Sequence, residues 1–281
     1  MTSPNTHTNH SADCIGFIGG GNMAGAIIGG LIRQGVSASH MEVVEPHEPS
    51  REKLAKQFGL KPQATPGTAL ARCQMVVWAV KPQVFKEAAL QSRFHVKQAL
   101  HLSVAAGIRS DSIARWLGSE RVVRCMPNTP ALVGKGMTAM VARNAVNAAD
   151  KALVERVIST TGAHLWLHDE AQLDAVTALS GSGPAYVFYF LEAMIEAGVA
   201  MGLTREQAHT LAVGTFVGAS DLAAHSDEPP EILRQRVTSK GGTTYAALTS
   251  MEQDRLGTLF QRAMQAARQR AKEMGDEFGA G

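Results

Sequence analysis

Cysteine is scarce. Cys14, Cys73 and Cys125 are the only three in 281 residues, far apart and never in a CxxC pair. That spacing excludes a disulfide-stapled scaffold and a four-thiolate metal site. Each cysteine lies within or beside an apolar run, where a reduced core residue is expected. Charge of one sign is lacking too. With 27 Lys and Arg against 25 Asp and Glu, the balance of +2 is too small for a nucleic-acid footprint. Gly, Arg or Lys interrupts every apolar run before the roughly 18 residues of a membrane span, so neither nucleic acid nor membrane is an expected partner. The ten histidines show no HExxH or other ligand spacing, which predicts no metal. Residues 1–12 are polar, with neither the basic start nor the apolar stretch of a secretory signal; a disordered tail and a cytoplasmic location are expected.

What the chain has in quantity is apolar residues, 45% against 19% charged, the balance of a soluble globular protein. Its length favours two domains. From Cys14 to about Leu167, short β-branched and apolar runs alternate with amphipathic stretches, the pattern of an α/β domain with an open, mostly parallel sheet. Seven strands are expected, at Cys14–Ile18, Met41–Val44, Met75–Val80, Ala99–Val104, Arg121–Cys125, Met137–Val141 and His164–Leu167. After Glu170 the β-branched runs vanish and apolar residues recur at helical spacing, which predicts an all-α domain. Its helices are expected at Glu170–Leu179, Pro184–Met201, Thr204–His225, Pro230–Val237 and Thr244–Met274, the last broken near Gly257. Polar loops at Ser180–Gly183 and Ser239–Gly242 punctuate them. The division expected is 13–168 and 169–281. Val187, Phe188, Phe190, Leu191, Met194, Ile195 and Val199 give one helix a broad apolar face, fitting either a subunit interface or a fully buried central helix.

The first strand runs into Gly19-Gly20-Gly21-Asn22-Met23-Ala24, a GxGxxA set between a strand and a helix. Gly19 permits the tight turn, Gly21 lets the backbone approach a pyrophosphate, and Ala24 lets the helix pack closely on the sheet. Glycine-rich turns alone are common; this placement points to dinucleotide binding by Ile18 through Ala24. Glu45 ends the second strand, where an acidic residue bonds the ribose of NAD and repels the 2′-phosphate of NADP unless Arg51 or His47 folds over it. Its bland reading is a solvated strand end. Ala79, Val80, Lys81 and Pro82 close the third strand at the ligand crevice, with Lys81 in reach of a phosphate or ribose. Ala105, Ala106 and Gly107 are small enough to leave room for a nicotinamide ring. NADP or NAD is the expected cofactor.

Two Gly- and hydroxyl-rich stretches run straight into helices: Ser180-Gly-Ser182-Gly-Pro-Ala-Tyr186 and Ser239-Lys-Gly241-Gly242-Thr243-Thr244. Such turns offer convergent N–H groups to a carboxylate, or are plain helix caps. Together with GxGxxA, Ala79-Val-Lys-Pro82, Ala105-Ala-Gly107 and Met126-Pro-Asn-Thr-Pro130, they resemble the pyrroline-5-carboxylate reductase family from about Cys14 to Met274. The resemblance implies a Rossmann-type, doubly wound domain binding NAD(P)H, then an all-α dimerisation domain. It further implies self-association as a dimer or a larger ring of dimers, with the active site spanning the dimer. The reaction implied is hydride transfer to the C=N carbon of 1-pyrroline-5-carboxylate, giving L-proline. By the same resemblance the substrate carboxylate sits on N–H groups of Gly242, Thr243 and Thr244 with Ser239 nearby, and the Thr244 hydroxyl, the catalytic group, faces the ring nitrogen. The expected substrate residues are Ser180, Ser182, Ser239, Gly241, Gly242, Thr243 and Thr244. Lys240 stands where many relatives have proline, and Glu45 where others carry a small polar residue.

Neither stretch contains a His, Asp or Glu to act as a general acid, so the substrate is expected to bind as the iminium. Asp169, Glu170 and Asp174 are expected as dipole-favoured surface carboxylates, and His101 and His164 as satisfied core histidines. A β-hydroxyacid dehydrogenase needs a lysine on the long inter-domain helix, and Pro184–Met201 has none. A noncatalytic dinucleotide-binding regulator would carry a broken GGTT or SGSGP stretch; both are intact. Another cyclic imine stands as an alternative substrate.

Overall fold

The computed structural model describes residues 14–279, so the expected tail lies outside it. The chain forms two compact units, one running to Ser182 and resuming at Ala267, the other Gly183–Ala266. The first is built on seven strands: β1 (Ile15–Ile18), β2 (Met41–Val44), β3 (Met75–Trp78), β4 (Leu100–Ser103), β5 (Val122–Met126), β6 (Gly136–Ala142) and β7 (Gly162–Trp166). Their spatial order is β2-β1-β3-β4-β5-β6-β7, and all neighbours are parallel except β5 and β6. β1, β3 and β4 are buried along their whole length, as a sheet covered on both faces requires. Side chains alternate between those faces. On β3, Met75 and Val77 join Phe17, Ile27, Ile28 and Leu102 in one cluster, while Val76 and Trp78 join Phe85, Ile113 and Trp116 in the other.

Five helices cover this sheet: α1 (Asn22–Arg33), α2 (Glu48–Phe58), α3 (Pro82–Ser92), α4 (Ser110–Leu117) and α5 (Ala148–Ile158). His101 is buried, as expected, and its Nδ1 accepts from Trp78 Nε1 at 3.3 Å. Burial, helped by the charge of Arg121, lowers its pKa to about 4. His164 is only half-buried. It sits on β7, an edge strand whose residues alternate between half-buried and exposed.

A short helix, α6 (Gln172–Val176), also belongs to the first unit. Leu173 and Val176 pack with Ala139 and Val141 of β6, which is why the compact division falls after Ser182 and not at the expected 168. The second unit holds α7 (Gly183–Ala200), α8 (Arg205–Ala224), α9 (Pro230–Arg236), α10 (Thr243–Gln253) and the start of α11 (Leu256–Gly279). Thr204 and Gln207 cap α8 reciprocally. α7 and α8 approach closely at Gly198, where a Cβ would lie 2.9 Å from that of Ala208. The break expected near Gly257 falls at Arg255, whose φ of 54° is left-handed; Gly257 itself is helical. Of α7's residues only Gly198 is buried, so the reading of a fully buried central helix fails.

Candidate functional site

β1 lies between β2 and β3, and the chain leaves β1 toward β2 but leaves β3 toward β4 on the other side, which opens a crevice at the carboxyl ends of β1 and β3. Gly19 is the pivot. Its φ is 96°, its N–H donates to Val44 O at 2.8 Å, and a Cβ there would lie 2.5 Å from Ala79 O. Ala79 N–H in turn donates to Ile18 O at 2.8 Å, which laces the ends of β1, β2 and β3 together. At Gly21, the N-cap of α1, a Cβ would meet nothing within 4 Å, and no side chain caps the helix. The N–H groups of Asn22, Met23 and Ala24 precede the helix's own hydrogen-bond ladder. Open space in front of uncapped N–H groups fits the pyrophosphate of a dinucleotide.

Glu45 is no solvated strand end. Its carboxylate accepts from Gly20 N at 2.7 Å and from His47 N at 2.8 Å, so it braces the glycine turn from β2. Arg51 and His47 are engaged locally. The Arg51 guanidinium donates to the carbonyls of Glu45 and Pro46, and His47 Nδ1 lies 3.0 Å from Ser50 Oγ. Lys81, exposed at the N-cap of α3, is followed by Pro82 in the first helical turn. Ala105 N–H donates to Ser103 Oγ at 3.3 Å, and Gly107 turns with φ 75° where a Cβ would lie 2.9 Å from Met274 Cβ. Ala105 is buried, while Val80 and Ala106 are half-buried.

The Ser180–Gly183 stretch is not a loop. Thr177–Gly181 forms a π-helical turn, Ser182 N–H donates to Thr177 O at 2.8 Å, and α7 starts at Gly183. The Ser182 N–H is therefore spent within the turn. Asn128, in the Met-Pro-Asn-Thr-Pro segment, grips this turn: its Nδ2 lies 3.2 Å from both Ser180 O and Ser180 Oγ, and its Oδ1 accepts from Met137 N at 2.9 Å. Asn128 was not among the expected site residues. The signal for it was its place in that segment; its reach to Ser180 depends on the fold.

In the second unit Gly241, φ 75°, leads into Gly242, the N-cap of α10, which no side chain caps. Gly242 N–H is used inside the turn, donating to Ser239 O at 3.0 Å. That corrects the expectation that it is offered to a ligand, and the open donors belong to the first turn of α10: Thr243, Thr244 and Tyr245. A Cβ on Gly242 would lie 2.5 Å from Ser239 Oγ. Ser239, Lys240 and Thr243 are exposed and Thr244 is half-buried.

Glu170 is not a surface carboxylate. It accepts from Ser110 N at 2.7 Å, from Ser110 Oγ, and from Arg124 Nη1 at 2.8 Å, where Arg124 is buried. Asp169 caps locally, accepting from Ala171 N at 2.9 Å. Among the described residues no three His, Cys, Asp or Glu side chains converge on a metal-sized site, and no helix is long and apolar enough to cross a membrane.

The family model described as pyrroline-5-carboxylate reductase dimerisation matches residues 170–274, and one described as NADP oxidoreductase coenzyme F420-dependent matches 14–107. Pyrroline-5-carboxylate reductase of Pseudomonas aeruginosa is 44% identical over 268 residues, covering 94% of this chain and 98% of its own. Among solved structures, the Coxiella burnetii reductase superposes with a TM-score of 0.87 at 36% identity, covering 94% of this chain and 98% of its own. The Plasmodium falciparum reductase, solved with NADP bound, has a TM-score of 0.85 at 30% identity, covering 94% and 99%.

Proposed function

The chain belongs to the pyrroline-5-carboxylate reductase family, and from that premise we propose how its own residues carry the reaction. The protein reduces 1-pyrroline-5-carboxylate to L-proline, the last step of proline biosynthesis, as an NAD(P)H-dependent oxidoreductase. When bound, the reduced nicotinamide supplies a hydride to the C=N carbon. Ile18, Gly19, Gly20 and Gly21, with the N–H groups of Asn22, Met23 and Ala24, hold the pyrophosphate. Glu45 faces the adenosine ribose, and Ala79, Val80, Lys81 and Pro82 flank the dinucleotide. Ala105, Ala106 and Gly107 keep the space for the nicotinamide ring.

The N-terminus of α10 holds the substrate carboxylate through Thr243 and Thr244, shaped by Ser239, Gly241 and Gly242. The observation carrying this assignment is an uncapped helix start entered through a left-handed glycine. Ser180 and Ser182 support the substrate side through their hydroxyls. The Thr244 hydroxyl is the hydrogen-bond partner of the ring nitrogen as it becomes an amine. No carboxylate or imidazole stands in the turn, so the substrate arrives as the iminium and its proton comes from solvent. The protein acts as a homo-oligomer, a dimer or a ring of dimers, in the cytoplasm, with no nucleic-acid partner.

Thr244→Ala tests the assignment. Removing one hydrogen bond of about 1–3 kcal/mol lowers kcat/KM about 10- to 100-fold for NAD(P)H oxidation with 1-pyrroline-5-carboxylate. Turnover and substrate affinity equal to the unmutated enzyme would remove Thr244 from the site.

A further inference from the structure

Two of the three cysteines meet. Cys14 stands at the head of β1 and Cys73 two residues before β3, and these strands are parallel neighbours with Ile15 opposite Met75. Gln74 N–H donates to Cys14 O at 2.9 Å, so the sheet's own ladder fixes the two residues beside each other. Their Sγ atoms lie 2.9 Å apart. Both are buried in the cluster that holds Leu70, Val76 and Trp78, whereas Cys125 belongs to the cluster on the opposite face of the sheet. Arg72, which pairs with Glu42, adds a cation at this corner.

We propose that Cys14 and Cys73 are a modification site, closing a reversible intramolecular disulfide when the protein meets a peroxide. The sulfur that accepts their shared hydrogen bond is the readier thiolate, with the charge of Arg72 in support, and either sulfur can be the donor. With Cys14 as the first nucleophile, Cys73 is the resolving thiol, and the reverse roles close the same bond. The Cys14 thiolate attacks a peroxide oxygen and breaks the O–O bond. This forms a sulfenic acid, and the departing hydroxide takes up a proton as water. The Cys73 sulfur then attacks the Cys14 sulfur and expels the sulfenic hydroxyl as a second water. Two thiols lose two electrons and two protons, one hydrogen peroxide becomes two waters, and no electrons from the nicotinamide are involved.

The bond links positions 59 apart and joins the amino ends of β1 and β3, while the glycine turn leaves the carboxyl end of β1. Restricting so long a loop in the unfolded chain raises the thermal midpoint by several degrees, and reductase turnover stays within twofold of the reduced protein.

The test treats the full reduced chain with hydrogen peroxide, alkylates it after denaturation, and reads it by mass spectrometry without reduction. The expected result is loss of two hydrogens, alkylation at Cys125 alone, and a Cys14–Cys73 linked peptide that dithiothreitol reverses. Cys125→Ser keeps the link and the rise in thermal midpoint; Cys73→Ser loses both. If Cys14 and Cys73 both remain alkylatable at a peroxide dose that fully oxidises a simple dithiol, or each is over-oxidised without linking, the proposal is overturned. The linked peptide of the unmutated chain decides this by itself, should a variant fail to fold.

Discussion

Among single residues, Glu45 has the most to decide. Its carboxylate is held by Gly20 N–H and His47 N–H, so it cannot swing away without releasing the glycine turn. A fixed negative charge there opposes a 2′-phosphate, and two unit charges about 4 Å apart at an effective dielectric of 20 interact by about 4 kcal/mol. Glu45→Ser is therefore expected to shift the ratio of kcat/KM for NADPH over NADH upward by at least about tenfold, measured with 1-pyrroline-5-carboxylate saturating. An unchanged ratio would mean the carboxylate never faces the 2′ position. The place of Glu45 was legible because the strand–glycine–helix spacing fixes where an acidic residue falls. The use of Gly242 N–H within its own turn was not, since it depends on how one turn closes in space.

His101 makes a second residue-scale prediction, and its sign follows from burial. Native His101 titrates at about 4, below the 6.5 of an unfolded histidine. Its contribution to stability is full above pH 6.5 and is lost as pH falls toward 4, because the unfolded chain takes up a proton that the native state refuses. The loss is up to about 3 kcal/mol at 1.36 kcal/mol per pKa unit. Urea unfolding at pH 7 and pH 4.5 reads it: His101→Asn should lose distinctly less stability over this range than the unmutated protein. Equal losses would show that His101 is already protonated in the native state.

At the scale of elements, the strands were legible and two junctions were not. β3 announces itself as a continuous apolar run, since both its faces are covered; β1 and β4 are as fully buried, but Gly16 stands within β1 and His101 and Ser103 within β4. Ser180-Gly-Ser-Gly looks like a loop because glycine and serine favour turns, yet Asn128 and the packing of α6 draw it into a π-helical turn. Glu170 looked like a dipole-favoured surface residue for the same reason: its partners, Ser110 and Arg124, are 60 and 46 positions away in sequence. The pair anchors the segment that leads into α6. Glu170→Ala leaves the Arg124 guanidinium buried without its counter-charge, which costs about 3 kcal/mol and lowers the urea midpoint accordingly. Replacing both partners, Arg124→Met with Glu170→Leu, should recover most of that loss. A single Glu170→Ala variant as stable as the parent would show that Arg124 finds water instead.

The whole molecule carries the largest unresolved cost. Phe188 and Tyr189 of α7 are 57% and 70% exposed, and Leu211, Val217 and Leu222 of α8 are exposed as well. So much bare apolar surface on two packed helices is rare on a monomer and marks a contact surface. In a two-fold interface each substituted residue appears twice, so one charge placed on this face acts on both copies. Phe188→Glu would put two carboxylates into a dry contact at about 3 kcal/mol each. The total of about 6 kcal/mol weakens association roughly 10⁴-fold. Sedimentation equilibrium at micromolar concentration should find the unmutated protein associated and the variant monomeric. The thermal midpoint should fall on dilution for the former alone, because subunits that bind only the folded state stabilise it by mass action. A Phe188→Glu protein that keeps its mass and its midpoint would place the subunit contact elsewhere on the helical unit and leave this face without an explanation.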